Sequence, residues 1–160
     1  MRSVIILFTV VLMASGSLVA QTDMTVLYCV TSADGMAEGE VTMKTRLEDL
    51  GMVVDAVTAS ATTSDQALSY DLVFVHEAIS SSAVGSKFKD VPVPVMSTEF
   101  YIADDMGFTG ATLGTDFGQL DTYPQTDFLL VNDVDHPIIK GFSSDVVVYT
   151  GVGNMGFGVP

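Results

Sequence analysis

The 160-residue chain is poor in cysteine and in positive charge. With Cys29 as its one cysteine it can form no internal disulfide, which excludes the disulfide-stabilised small secreted domains. Six basic residues stand against 20 acidic ones, for a formal net charge of −14. Such a charge repels phosphate backbones and anionic lipid, so nucleic acids and membrane surfaces are excluded as expected partners.

The first 20 residues have the three-part pattern of a secretory signal peptide. Arg2 precedes an uncharged apolar run at residues 4–14, and small and polar residues lead to Ala20. The run is about half as long as the roughly 20 apolar residues that span a membrane. We predict cleavage after Ala20 and a secreted, periplasmic or cell-surface location. A buried first strand and an uncleaved anchor are the alternatives.

The predicted mature domain, residues 21–160, is acidic and of single-domain size. It keeps five basic residues against 20 acids, a net charge of −15. About 140 residues suffice for one hydrophobic core and not for two. We therefore predict one domain.

Apolar runs alternate with amphipathic segments along this domain. The runs predict strands at residues 24–31, 52–59, 71–77 and 91–97. Helices are predicted at residues 40–50, about 65–69, and from 80–82 to 89. This order predicts an α/β fold: a flavodoxin-like, doubly wound parallel sheet with helices on both faces.

Beyond residue 100 the pattern becomes irregular. We expect one or two helical turns at residues 101–106, a loop at 107–126, and short strands at 128–131 and 146–149. The chain stops directly after a strand-like stretch, without a closing helix. We interpret this as a C-terminally incomplete domain.

Polar residues follow three of the predicted strands. Open parallel sheets bind ligands beyond the carboxyl ends of their strands, near the point where strand order reverses. This rule selects Ser32, Asp34, His76, Glu77, Thr98 and Glu99. We predict that these residues form a ligand-binding crevice. The alternatives are a hydrolase that uses His76 with Glu77 or Glu99 for acid–base chemistry, and side chains that only end strands in water or cap helices.

The residues give little support to nucleophilic or metal chemistry. Ser97 and Thr98 carry hydroxyls after the fourth strand, but they lack an evident base and the flanking glycines of a nucleophile turn. Cys29 lies in mid-strand, where a thiol packs as a small hydrophobe. Acidic clusters at residues 104–105 and 132–136 match neither a calcium loop nor a zinc site. We predict no catalytic residue and no metal.

The loop after the first strand resembles a flavodoxin phosphate loop in the segment TVLYCVTSADGMAEGE. Thr31, Ser32 and Gly35 offer hydroxyls and backbone N–H groups that can hold an anion. Asp34 and Glu38 would repel a phosphate. We predict no FMN and no other cofactor.

Four segments carry a resemblance to a known superfamily: VLYCVTSADG, RLEDLGMVV, YDLVFVHEAISSSAVGSKFKDVPVPVMSTEFYIADDMGFTG and DHPIIKGF. They are similar to the class I glutamine amidotransferase-like superfamily, in particular to exported bacterial domains within it, and more distantly to the trehalose-utilisation (ThuA-like) group. The resemblance covers residues 24–160 and includes the His136-Pro137 turn that closes on Gly141. It implies a flavodoxin-like sheet.

The resemblance also implies a comparison of active sites. Active members carry a nucleophilic cysteine at a strand-to-helix elbow, with a histidine and a glutamate late in the domain. Here the elbow reads STEFY around Glu99, without cysteine, and no catalytic role transfers to His136. Such members resemble non-catalytic modules of secreted or surface proteins. The resemblance therefore implies a binding module whose partner is a small molecule, a glycan or a protein.

Overall fold

The computed structural model describes residues 24–120, 128–129, 146–147 and 155–159. The predicted signal peptide and the His136 turn lie outside the described residues. The strands are β1 (Thr25–Val30), β2 (Val53–Thr58), β3 (Leu72–Val75), β4 (Val95–Ser97), β5 (Phe117–Leu120), β6 (Phe128–Leu129), β7 (Val146–Val147) and β8 (Met155–Gly158). The helices are α1 (Glu38–Asp49), α2 (Ser64–Ala67) and α3 (Ser81–Val84), with 3₁₀ turns at Ala59–Ala61 and Phe100–Ile102.

Four parallel strands form the central sheet, in the order β2-β1-β3-β4. The strand β1 lies in the middle, and its residues from Val26 to Val30 are all buried. This burial explains why the sequence of β1 is a continuous apolar run. The α/β prediction, a parallel sheet with helices, is confirmed.

Side chains of β1 alternate between two hydrophobic clusters, one on each face of the sheet. Leu27 and Cys29 pack in the first cluster with Val84 of α3. Tyr28 packs in the second cluster, against which Met43 and Leu47 of α1 are partly buried. Helical segments therefore cover both faces, as the alternating sequence predicts.

The ends of the helices follow local side-chain and backbone chemistry. Thr63 caps α2 by accepting a hydrogen bond from the N–H of Gln66 at 3.1 Å. Gly51, just beyond α1, takes a φ of 85°, a conformation that suits glycine after a helix. At both positions the residue type is one that the role favours.

Two predicted elements are shorter in the structure by four residues or more at one end. The helix predicted to reach residue 89 ends at Val84, because Gly85 takes a φ of 51° and turns follow through residue 90. The strand predicted from residue 91 begins at Val95, after Pro92 and Pro94, which have no backbone N–H to donate.

One predicted loop contains a strand. Residues 117–120, inside the loop predicted over 107–126, form β5 and pair antiparallel with β8. The short runs at 128–129 and 146–147 form β6 and β7, which also pair antiparallel. Within the described ranges, no helix is long and apolar enough to cross a bilayer.

Candidate functional site

The order of the central sheet places a switch point between β1 and β3. From β1, the chain goes first to β2 on one side and later to β3 on the other. A crevice forms at such a point beyond the carboxyl ends of the two strands. Here β1 ends at Val30 and β3 at Val75, so Thr31 and His76 follow directly.

His76 is held in one orientation at the end of β3. Its side chain is 6% exposed, and its ring meets the Tyr28 ring edge-on, with centroids 5.9 Å apart. Its Nδ1 accepts a hydrogen bond from the N–H of Ala78 at 3.1 Å. A neutral imidazole that accepts at Nδ1 carries its proton at Nε2. A Cβ atom on Gly39 would lie 4.0 Å from this Nε2, so the start of α1 passes close to the ring.

Glu40 is a buried carboxylate beside His76, and it was not among the predicted site residues. It lies in the first turn of α1 and is fully buried. Its Oε1 accepts from the N–H of Thr31 at 2.6 Å, and its Oε2 accepts from the Thr31 hydroxyl at 2.9 Å and from the N–H of Ala37 at 2.8 Å. Three donors therefore satisfy this carboxylate.

These hydrogen bonds keep Glu40 ionised. Burial raises the pKa of Glu40, but the bonds from Thr31 and Ala37, with a smaller effect of His76, outweigh it and leave the pKa below its ordinary value. Of the residues that resemble a phosphate loop, Thr31 thus binds the chain's own carboxylate, whereas the N–H of Gly35 donates to the carbonyl oxygen of Ser32. The carboxylate of Glu40 therefore occupies the position at which this loop could hold an anion.

Tyr28 joins this arrangement from β1. Its hydroxyl donates to the carbonyl oxygen of Glu40 at 3.2 Å, and its ring packs 5.4 Å from that of Phe74. Burial, followed by the nearby carboxylates of Glu40 and Glu77, raises the pKa of Tyr28 well above its ordinary value. Tyr28 is therefore a neutral hydrogen-bond donor that fixes the start of α1 to the sheet.

A second polar group lies at the end of β4. Ser97 donates its hydroxyl proton to the carbonyl oxygen of Glu99 at 2.9 Å and accepts from the N–H of Glu99 at 3.0 Å. Thr98 donates its hydroxyl proton to the carbonyl oxygen of Val75 at 3.3 Å. Glu99, 7% exposed, accepts from the N–H of Tyr101 at 2.8 Å through Oε1. Both hydroxyls are therefore bound to the backbone.

Glu77 connects the two groups electrostatically. Its side chain is exposed. Its charge contributes to the raised pKa of Tyr28 in the first group and to that of Glu99 in the second, although burial is the larger cause for both. Glu77 therefore lies within electrostatic range of both polar groups.

The six predicted residues follow β1, β3 and β4, which lie side by side in the sheet. His76, Glu77, Thr98 and Glu99 follow adjacent strands. The hydrogen bonds of the loop that contains Ser32 and Asp34 are local or go to β2. The backbone carbonyl oxygen of Ser32 accepts from the N–H of Gly35, and the N–H of Ala33 donates to the hydroxyl of Thr58. Asp34 is exposed.

The roles of Glu40 and Tyr28 are only weakly indicated by the residue pattern. A glutamate at the third position of a helix commonly bonds back to the N-cap, but the usual Ser or Thr partner is Ala37 here. Tyr28 is one of five consecutive buried residues and looks like packing. In the part of the chain that the structure describes, no group of three or more metal-ligating side chains occurs.

Comparisons with protein-family models, with curated proteins and with solved structures found no match to this chain. The amidotransferase-like resemblance therefore stays a prediction.

Proposed function

We propose that the protein is a non-catalytic ligand- or partner-binding module, exported by a bacterium, with a flavodoxin-like sheet of the amidotransferase-like type. The observation that supports it is how the polar groups at the strand ends are used. The hydroxyls of Ser97 and Thr98 donate to backbone carbonyls, and Nδ1 of His76 accepts from Ala78. A nucleophile needs a base within hydrogen-bond reach, and these contacts leave neither hydroxyl so paired.

The same strand ends present polar atoms to a ligand. In the described part of the chain, every fully buried side-chain nitrogen or oxygen has a hydrogen-bond partner. Nε2 of His76 and Oε2 of Glu99 have none there, so both atoms reach the surface from side chains that are otherwise buried. Rigid side chains with one outward polar atom suit specific binding, because little conformational entropy is lost.

A paired test of binding and turnover separates this proposal from a hydrolase. The wild-type protein, His76→Gln, Glu99→Ala and the remote control Asp49→Asn are screened by thermal shift against soluble glycans and small polar metabolites. They are also assayed with chromogenic esters, glycosides and phosphates. We expect ligands that stabilise the wild type and Asp49→Asn, weaker stabilisation of Glu99→Ala, and no hydrolysis above buffer. Hydrolysis that His76→Gln abolishes would contradict the proposal.

Export is the second part of the proposal. The pattern of residues 1–20 supports it. When the whole coding sequence is expressed in a bacterial host, the mature protein is expected outside the cytoplasm with Gln21 at its N-terminus. A cytoplasmic protein that retains Met1 would contradict this part alone.

A further inference from the structure

The turn after β3 lies between two buried residues. His76 begins it and is 6% exposed, and Ile79 ends it and packs in the first hydrophobic cluster. The N–H of Ile79 donates to the carbonyl oxygen of His76 at 3.4 Å. Between them, Glu77 and Ala78 are exposed. The two ends of the turn are therefore fixed by burial, whereas its middle is not.

One hydrogen bond holds the middle of this turn. The N–H of Ala78 donates to Nδ1 of His76 at 3.1 Å, and within the described ranges neither Glu77 nor Ala78 makes another hydrogen bond. Only a neutral imidazole can accept this bond, because a protonated ring carries N–H at both nitrogens. Rotation of the ring by a half-turn would place Cδ2 against Ala78, and this carbon is no acceptor either. The bond therefore requires His76 to be uncharged.

The neighbouring elements present no acceptor that touches the ring. From β1, Tyr28 meets the ring edge-on, and its hydroxyl proton is donated to the carbonyl oxygen of Glu40. From α1, a Cβ atom on Gly39 would lie 3.9 Å from Cε1 of His76, so the backbone of the first helical turn covers this side of the ring. The ring is therefore enclosed, and the Ala78 N–H is the polar group bound to it.

The carboxylates of these elements act on His76 only at longer range. They are the buried Glu40 and the exposed Glu38 in the first turn of α1, Glu77 in the turn itself, and Glu99 after β4, which lies within electrostatic range of Glu77. Glu40 is within electrostatic range of His76. The only salt bridge within the described ranges joins Lys44 to Glu48, so none of these acids pairs with the ring. A protonated ring would lose the Ala78 bond with no carboxylate already in contact to replace it.

We propose that His76 is a pH-sensitive switch: the neutral ring holds the Glu77–Ala78 turn in place, and protonation of the ring releases it. Histidine is the side chain suited to this role, because its charge ordinarily changes between pH 5 and 8. The buried His76 and Ile79 confine the change to the two exposed residues between them. Release would therefore free the Glu77 carboxylate to move at the crevice without unfolding the sheet. The switch needs no ligand, so it does not depend on the proposed binding function.

The test follows the His76 ring and the Ala78 amide by NMR of the ¹⁵N-labelled protein between pH 8 and pH 5. The chain has two histidines, and His136→Gln identifies the ring signals of His76. Hydrogen exchange of the Ala78 amide is expressed as a protection factor, which removes the intrinsic pH dependence of exchange. We expect this factor to fall roughly five- to tenfold, the effect of one hydrogen bond, with the midpoint of the ring titration. The amide of Val73, which donates to Pro94 within the sheet, should stay unchanged.

Two variants separate protonation from a general effect of acid. The Oδ1 atom of His76→Asn can accept from the N–H two residues later and does not titrate, so Ala78 should stay protected at every pH. His76→Phe has no acceptor, and its Ala78 amide should be weakly protected throughout. A ring whose charge does not change between pH 8 and pH 5, protection that stays constant while the ring titrates, or an equal fall in His76→Asn would overturn the proposal. The wild-type titration decides the matter even where a variant does not fold.

Discussion

Glu40 is a buried carboxylate whose hydrogen bonds join the loop after β1 to the start of α1. Its carboxylate accepts two hydrogen bonds from Thr31 and one from Ala37, and it lies beside His76. A buried charge is tolerated only where such bonds replace water. Glu40 therefore fixes the loop after β1 against the first turn of α1.

Replacement of Glu40 by glutamine should destabilise the protein. The amide NH₂ would face backbone N–H and hydroxyl donors, so we expect a loss of roughly 3 kcal/mol in the free energy of unfolding at pH 7. Urea denaturation measures it. Glu38→Gln, at an exposed acid in the same turn of α1, is the matched control and should change stability by less than about 0.5 kcal/mol. Equal losses in both variants would refute the role of Glu40.

The difference between the wild type and Glu40→Gln should depend on pH. The pKa of Glu40 is lowered in the folded state from an ordinary value of 4.5. Its stabilising contribution is therefore fully present above that ordinary pKa and is lost as the pH falls through the folded pKa. The two urea midpoints should converge on acidification below pH 4.5. A constant gap down to pH 2 would show that the charge of Glu40 is not what stabilises the fold.

At the scale of the elements, the sequence was most informative where a local pattern of residue types decides the structure. The apolar run of β1, the stripe of Met43 and Leu47 on α1, and the cap at Thr63 each follow from local rules, and the structure contains all three. The end of α3 was predicted too late because Gly85, inside a run of weak turn and helix signals, takes a positive φ. Local residue types alone did not predict that conformation.

The strand β5 was missed for a different reason. Its partner is β8, which is almost 40 residues away along the chain, so no short-range pattern indicates the pair. Short-range patterns are limited in the same way at the site. The strand ends were predictable from the order of elements, whereas the hydrogen bond from Thr31 to Glu40 depends on how α1 packs.

The packing between β8 and Phe100 gives a prediction about an element. A Cβ atom on Gly156 would overlap Cδ1 of Phe100, so Gly156→Ala must displace the ring or the strand. We expect a loss of about 1–3 kcal/mol in the free energy of unfolding, measured by urea denaturation. Gly35→Ala, whose Cβ would lie 4.0 Å from Oγ of Ser32, is the control and should cost much less. Equal losses would show that β8 does not pack on Phe100.

For the whole molecule, charge and topology lead to the same proposal. A net charge of −14 disfavours anionic partners, and the switch point between β1 and β3 places His76, Glu77 and Glu99 at the same edge of the sheet. Burial raises the pKa of the Cys29 thiol to about 12, so the only thiol is not the reactive group that the resemblance associates with active members. We therefore expect the molecule to recognise its ligand and release it unchanged.

The most direct measurement of this central claim is the location of a bound ligand. Hydrogen–deuterium exchange of the full protein is compared with and without a ligand found by the thermal-shift screen. The account predicts that protection appears at the carboxyl ends of the strands, in peptides that contain Thr31, His76 and Glu99. Protection confined to the opposite edge of the sheet, around Thr25, Val53 and Asp71, would contradict it.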